Sequence, residues 1–155
     1  MEPGNAEKRY YRLFREFEYK LDTQRRIAVP AEWRAENPCG VFLLIPAREH
    51  IIHMYPDEVF TAKFAEKLSK LAAGDAAAMR KARDFGAHVF KCVCDSQGRI
   101  QLPKELQEWG EVQSRLAMIG TGDFVQMMSA ERRDAEKAQA MPEGKDPDFL
   151  DILNL

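Results

Sequence analysis

The sequence predicts a β-rich α+β fold made of two copies of one unit. Three observations support this: an internal repeat, period-two apolar alternation at the start of each copy, and a helical stretch between them. Leu21–Arg34 set over Cys94–Gln107 at a constant offset of 73 is identical at six of 14 positions, namely Asp, Gln, Arg, Ile, Pro and Glu. Chance would give roughly one match, so the chain carries a tandem repeat.

Each copy opens on a strand. Phe17, Tyr19 and Leu21 alternate with Glu18 and Lys20, and Phe90, Cys92 and Cys94 alternate with Lys91 and Val93. This is the pattern of a half-buried strand. Each strand ends at an aspartate, passes three residues and resumes as Arg26-Ile27-x-Val29 or Arg99-Ile100-x-Leu102. Two short strands joined by a tight connection, with Gly98 in one copy, predict a β-hairpin. Pro30 and Pro103 end the second strand, because proline has no N–H for the ladder, and they suit the start of a short helix through Glu32-Trp33 or Glu105-Leu106. A second strand pair follows, Val41–Ile45 with Ile51–Tyr55, matched by Leu116–Ile119 with Phe124–Met128.

Between the copies, Val59, Phe60, Phe64, Leu68 and Leu71 recur at helical spacings among charged residues. They predict helices over about Asp57–Ala73 and Asp75–Asp84, the second capped by Asp75, with the Phe64, Leu68 and Leu71 stripe as a core face. A further helix is expected over Ala130–Ala140, followed by a polar linker and an apolar-acidic end, Phe149–Leu155. The expected organisation is a flexible extension over 1–13, a first repeat over 16–58, a helical linker over 59–86, a second repeat over 87–130, and a C-terminal helix and acidic tail over 131–155. Each unit buries few apolar side chains and would expose sheet edges alone, so self-association is expected.

Composition narrows the function classes. The 155 residues include 23 Lys+Arg and 25 Asp+Glu, a net charge of −2, with 45% hydrophobic residues. That apolar content argues against wholesale disorder. The longest unbroken apolar run, Val41–Ile45, is far short of the roughly 20 residues a membrane span needs. The first residues lack a basic stretch and apolar core, and three cysteines form no disulfide framework, so a cytoplasmic protein with no membrane partner is expected. A charge of −2 does not suggest a nucleic-acid binder, but its distribution matters. Residues 1–34 carry +2 and 75–110 carry +1, while 141–155 carry −3. The positive excess therefore lies in the two hairpin segments, with the acidic tail apart from them.

The sharpest candidate site is Asp-x-x-x-Arg at each hairpin tip: Asp22 with Arg26, and Asp95 with Arg99. One reading has each guanidinium meeting phosphate or the O6/N7 edge of guanine, held by its aspartate. The other has the aspartate accepting loop N–H bonds and pairing with arginine only to fix the turn. Gln24 and Gln97 could read adenine or simply be solvated. Cys92-x-Cys94, with Cys39, His50, His53 and His88, matches no usual zinc spacing, and alternating cysteines on a strand read as core. Gly120-Thr121-Gly122-Asp123 lacks the remainder of a dinucleotide-binding fingerprint and reads as a turn. No catalysis, metal or cofactor is expected.

The run Phe17-x-Tyr19-x-Leu21-Asp22-x-x-x-Arg26-Ile27-x-Val29-Pro30-x-x-Trp33-Arg34, repeated as Phe90-x-Cys92-x-Cys94-Asp95-x-x-Gly98-Arg99-Ile100-x-Leu102-Pro103-x-x-Leu106, resembles the MraZ family of bacterial regulators, encoded at the head of the division and cell-wall gene cluster. It is more distantly similar to the single-copy AbrB and MazE-type domains. The resemblance covers about residues 14–140. It implies a double-split, swapped-hairpin β-barrel of two AbrB/MazE-like halves with flanking helices, a ring-shaped homo-oligomer, and regulation of its own operon through promoter DNA with repeated short elements. The implied DNA-binding residues are Asp22, Arg26, Asp95 and Arg99, to which Gln24, Gln97 and, as a phosphate contact, Arg25 are added. The sequence departs from the family pattern in three places. Arg25 stands where glycine is usual, which makes the first loop strained or differently shaped, or adds a compensating phosphate contact. Glu16 occupies a place that is often glycine. Thirteen residues precede Phe14, among them Lys8, Arg9 and Arg12, as a basic arm or a longer start. The competing reading is an oligomeric, non-DNA interaction scaffold with a degenerate first loop and a docking segment at Phe149–Leu155.

Overall fold

The computed structural model describes residues 9–140 and 147–154; the expectations for residues 1–8, for the linker over 141–146 and for Leu155 lie outside the described residues. The chain is α+β, with eight strands and five α-helices among those residues. Repeat one supplies β1 (Glu16–Lys20), β2 (Arg26–Ala28), α1 (Ala31–Glu36), β3 (Val41–Pro46) and β4 (Ile52–Pro56). Then come α2 (Asp57–Ala72) and α3 (Ala76–Ala87), before repeat two supplies β5 (Phe90–Val93), β6 (Arg99–Gln101), α4 (Lys104–Trp109), β7 (Arg115–Gly120) and β8 (Val125–Ser129), and α5 (Ala130–Ala140) follows. No helix among the described residues is long and apolar enough to cross a membrane.

The strand pairing corrects the hairpin expectation. β1 and β2 meet only across their turn, as do β5 and β6. Beyond the turn β1 pairs with β7 of the other repeat (Phe17 opposite Met118), β5 pairs with β3 (Phe90 opposite Leu44), and β2 pairs with β6 (Ile27 opposite Ile100). The result is a six-stranded antiparallel sheet in the order β1-β7-β8-β4-β3-β5 beside a two-stranded ribbon β2-β6. The sheet is open at β1 and β5, so the strand ladders do not close the expected barrel. Alternation specifies which face of a strand is buried, not which partner covers its edge. Here the partner of each first strand comes from the opposite copy, so neither repeat completes its sheet alone.

The core lies between this sheet and the ribbon. Ile27, Val29, Ile100 and Leu102 from the ribbon meet Phe42, Leu44, Ile52, Met54, Leu116, Met118, Val125 and Met127, all buried. Trp33 on α1 is fully buried; its Nε1 donates to the Phe14 carbonyl at 2.9 Å, and its ring lies edge-on to Phe17 at 5.1 Å between centroids. Leu106 is its counterpart on α4 and is equally enclosed. Asp75 caps α3, as expected, by accepting from the Ala78 N–H at 2.8 Å. The stripe on α2 is less buried than a core face requires: Phe64 and Leu68 are half-buried and Leu71 is exposed. The reason is that α2 packs on α3 and against Tyr55 of β4, Phe64 lying 5.2 Å from Tyr55 and 5.7 Å from Phe85, outside the main core cluster.

The start of the described chain is also corrected. Residues 9–13, expected as part of a flexible extension, pack against the fold: Tyr11 and Leu13 are buried, and Leu13 exchanges both backbone hydrogen bonds with Gly122 at 2.9 and 2.8 Å. Arg9 is no free basic arm, since it lies over the Tyr11 ring at 4.3 Å and donates to Tyr11 Oη and the Glu36 carbonyl. Glu16 joins β1 to α5 through Arg133 at 2.7 Å and through Lys137. Partial burial pushes the Glu16 carboxyl up, but the bonds from Lys137 and Arg133 outweigh it and hold the group below the usual carboxylate range. Close approach of the first segment requires Gly120, where an added Cβ would fall 2.4 Å from the Leu13 carbonyl oxygen. Gly120→Ala is therefore expected to cost about 1–3 kcal/mol by overpacking. Gly86→Ala, with nothing within 4 Å of the added carbon on α3, should stabilise by about 0.5–1 kcal/mol. Thermal melts of the two variants check both signs.

Candidate nucleic-acid interface

The ribbon β2-β6 divides its side chains by the strand period. Ile27 and Ile100 point into the core, so their neighbours Arg26, Ala28, Arg99 and Gln101 share the opposite, outward face. Each strand is entered through a turn built in the same way. In loop 1 the Asp22 N–H donates to the Arg26 carbonyl at 3.1 Å and the Arg25 N–H to the Asp22 carbonyl at 3.0 Å; in loop 2 the Asp95 N–H donates to the Arg99 carbonyl at 2.8 Å and the Gly98 N–H to the Asp95 carbonyl at 3.0 Å.

The aspartates organise both loops through their side chains. Asp22 Oδ1 accepts the N–H groups of Gln24 and Arg26, both at 2.8 Å, and Oδ2 accepts Arg26 Nε at 2.6 Å. Asp95 repeats the arrangement with Gln97, Arg99 and Arg99 Nε at 2.9, 2.9 and 3.0 Å. The backbone N–H of Arg26, and in the other loop that of Arg99, is the main cause holding each carboxyl below the usual range; the guanidinium and the Gln N–H add to it against partial desolvation. Both aspartates are thus ionised acceptors at neutral pH, and each arginine is fixed through its Nε.

The two loops form one cluster. Arg99 Nη1 lies 3.9 Å from Asp22 Oδ2, and Gln101 Nε2 donates to the Gln24 carbonyl at 2.9 Å, which ties β6 to the first loop. Gln24 and Gln97 are both exposed at the tips. Arg25 has φ of +59° beside the +74° of Gly98. With matching hydrogen bonds in both loops, the first loop is therefore strained but not differently shaped. Arg25 Nε donates to the Leu102 carbonyl at 3.3 Å. The seven sequence-predicted residues thus sit in two adjoining turns. Gln101 joins them and was missed; its counterpart at the offset of 73 is Ala28, so the repeat gave no signal for it.

The remaining candidates fall elsewhere. Burial pushes the Cys92 thiol up to about 11, and Cys94 is raised by burial as well, so both are thiols at neutral pH. Among the described residues no group of three His, Cys, Asp or Glu could hold a metal ion. His50 Nδ1 donates to the Trp109 carbonyl, 2.8 Å away, and His53 lies 4.8 Å from the Phe124 ring, where burial lowers its pKa. Gly120-Thr121-Gly122-Asp123 is a turn, as expected, with Thr121 N–H donating to the Phe124 carbonyl at 2.9 Å.

No protein-family model matches the chain. Curated proteins do. The chain is 32% identical over 127 residues to the "Transcriptional regulator MraZ" of Leuconostoc mesenteroides, covering 80% of this chain and 85% of the relative. It is 30% identical over 125 residues to the protein of the same name from Desulforamulus reducens, covering 81% and 87%. The counterpart from Corynebacterium kroppenstedtii is 27% identical over 144 residues, 91% of this chain and 99% of that one.

Proposed function

This chain belongs to the MraZ family, and from that premise we propose that it is a sequence-specific DNA-binding transcriptional regulator acting on the promoter of its own division and cell-wall gene cluster. The observation that carries the reading is the joined cluster of Asp22, Arg26, Asp95 and Arg99 on the outward face of the ribbon, with both arginines preset by ionised carboxylates. In this proposal Arg26 and Arg99 reach the duplex and Asp22 and Asp95 hold them in position, so that little side-chain freedom is lost on binding. Gln24 and Gln97 stand at the loop tips, where an amide can meet a base edge. Arg25, its Nε engaged with Leu102, offers its terminal nitrogens to phosphate.

The units over 16–58 and 87–130 act together in this reading as two swapped-hairpin halves of one AbrB-like body, in keeping with the exchanged strands. One such body presents few contacts. Assembly of copies into a ring that engages repeated short DNA elements raises affinity through effective concentration. The activity is binding and regulation in the cytoplasm and at the nucleoid, with no catalysis and no cofactor. Footprinting of the duplex upstream of its own gene, with the size of the bound assembly measured, tests the proposal. Protected elements repeated at a regular spacing under a multimer are expected; a uniform pattern, or a monomer on a single element, would refute it.

A further inference from the structure

The offset of 73 allows the two loops to be superposed residue by residue, and at one place they exchange parts. The carbonyls of Val29 and Leu102, equivalent residues just after β2 and β6, each accept from an arginine Nε. Leu102 accepts from Arg25 at 3.3 Å and Val29 from Arg34 at 3.0 Å, yet Arg25 and Arg34 are not equivalent positions. The equivalent of Arg25 is Gly98, and the equivalent of Arg34 is Gln107, which turns away to donate to the Val112 carbonyl at 3.1 Å.

Gly98 explains how the exchange works. The Val29 N–H donates to the Gly98 carbonyl at 2.9 Å, and the Leu102 N–H to the Arg25 carbonyl at 2.8 Å, so each strand end lies against the left-handed residue of the opposite or adjoining loop in the same way. A Cβ added to Gly98 would come within 2.6 Å of Arg34 Nε and Cζ. The guanidinium of Arg34, sent across from α1, therefore lies directly over the left-handed residue of loop 2. In loop 1 the left-handed residue is itself the arginine. Both loops end with one guanidinium held by its Nε on a strand-end carbonyl, with the terminal nitrogens left for an anion, beside the arginine held by the loop aspartate.

We propose that Arg34 is the second phosphate-contacting arginine of loop 2, the counterpart of Arg25 in loop 1. The proposal rests on the DNA-binding reading above. Under it the two loops carry equal basic pairs, Arg25 with Arg26 and Arg34 with Arg99, although the sequence places two arginines in one loop and one in the other.

The test measures, for the full chain, the dependence of affinity on salt for the duplex upstream of its own gene. Arg34→Gln should reduce the slope of log K against log salt by about 0.9 per loop in contact, as Arg25→Gly should. Arg34→Lys, which keeps the charge, should keep the slope. Combining Arg34→Gln with Gly98→Arg, which copies the arrangement of loop 1 into loop 2, should restore it; this also guards against a loop that merely fails to form without Arg34. An unchanged slope in Arg34→Gln overturns the proposal, and so does weaker binding at the wild-type slope, which would make Arg34 only a structural brace. If the wild-type chain does not bind the duplex, or Arg26→Ala with Arg99→Ala binds as well as wild type, the DNA reading itself has failed, and this inference with it.

Discussion

Replacing Arg26 and Arg99 together by alanine is expected to abolish specific DNA binding while leaving the fold intact. A well-placed arginine on a base edge contributes about 1–3 kcal/mol of discrimination. Losing two per subunit should therefore cost about 2–6 kcal/mol, at least about 30-fold in affinity, and more where several subunits bind at once. Fold stability should barely change. The side chains of both arginines are about 30% exposed (32% and 28%), and ion pairs screened by solvent contribute little to stability. Asp22 and Asp95 retain their backbone N–H partners in the variant, because those bonds come from the main chain of Arg26 and Arg99 and from Gln24 and Gln97. Unchanged affinity with an unchanged melting temperature would assign the two Asp–Arg pairs to turn formation alone.

Trp33→Ala is expected to produce the largest loss of stability. Deleting a fully buried tryptophan costs about 3–5 kcal/mol, against a total of about 5–15 kcal/mol for a typical domain. For a chain of this size that corresponds to a fall in melting temperature of about 6–20 °C. The site has little means of collapsing around the void. Trp33 is enclosed between α1, the ring of Phe17 on β1 and the Phe14 carbonyl that accepts from its indole, and β1 is fixed in register on β7. Because β1 is the sheet edge supplied across the repeats, its loosening should reach β7, and hydrogen exchange at Phe17, Tyr19 and Leu116 should rise together. A loss below about 1 kcal/mol would mean that the two copies hold together without this contact.

The sequence carried the repeat, the strand and helix order and the Asp-x-x-x-Arg turns because each depends on neighbours close in the chain. Asp75 at the head of α3 and the prolines before α1 and α4 mark their elements locally. The exchange of β1 and β5 was not legible, since Phe17 and Phe90 alternate identically whichever strand lies beside them. Tyr11 and Leu13 sat among polar and basic residues, and their burial depends on Gly120 and Gly122 more than a hundred positions away. The partnership of Arg34 with Gly98 spans the two repeats in the same manner. A guanidinium delivered from a helix in one copy to a loop in the other leaves no pattern in either copy alone, except that glutamine stands at 107 where arginine stands at 34.

Recognition of particular DNA through the ribbon face is the proposed activity of this chain. The most direct measurement is the affinity of the full chain for the duplex upstream of its own gene beside that for an unrelated duplex of the same length at the same salt. Sequence-specific recognition predicts a preference of about 10³-fold or more for the upstream duplex. Equal affinities, both falling alike with added salt, would contradict it and leave only the non-specific attraction of a few arginines for phosphate.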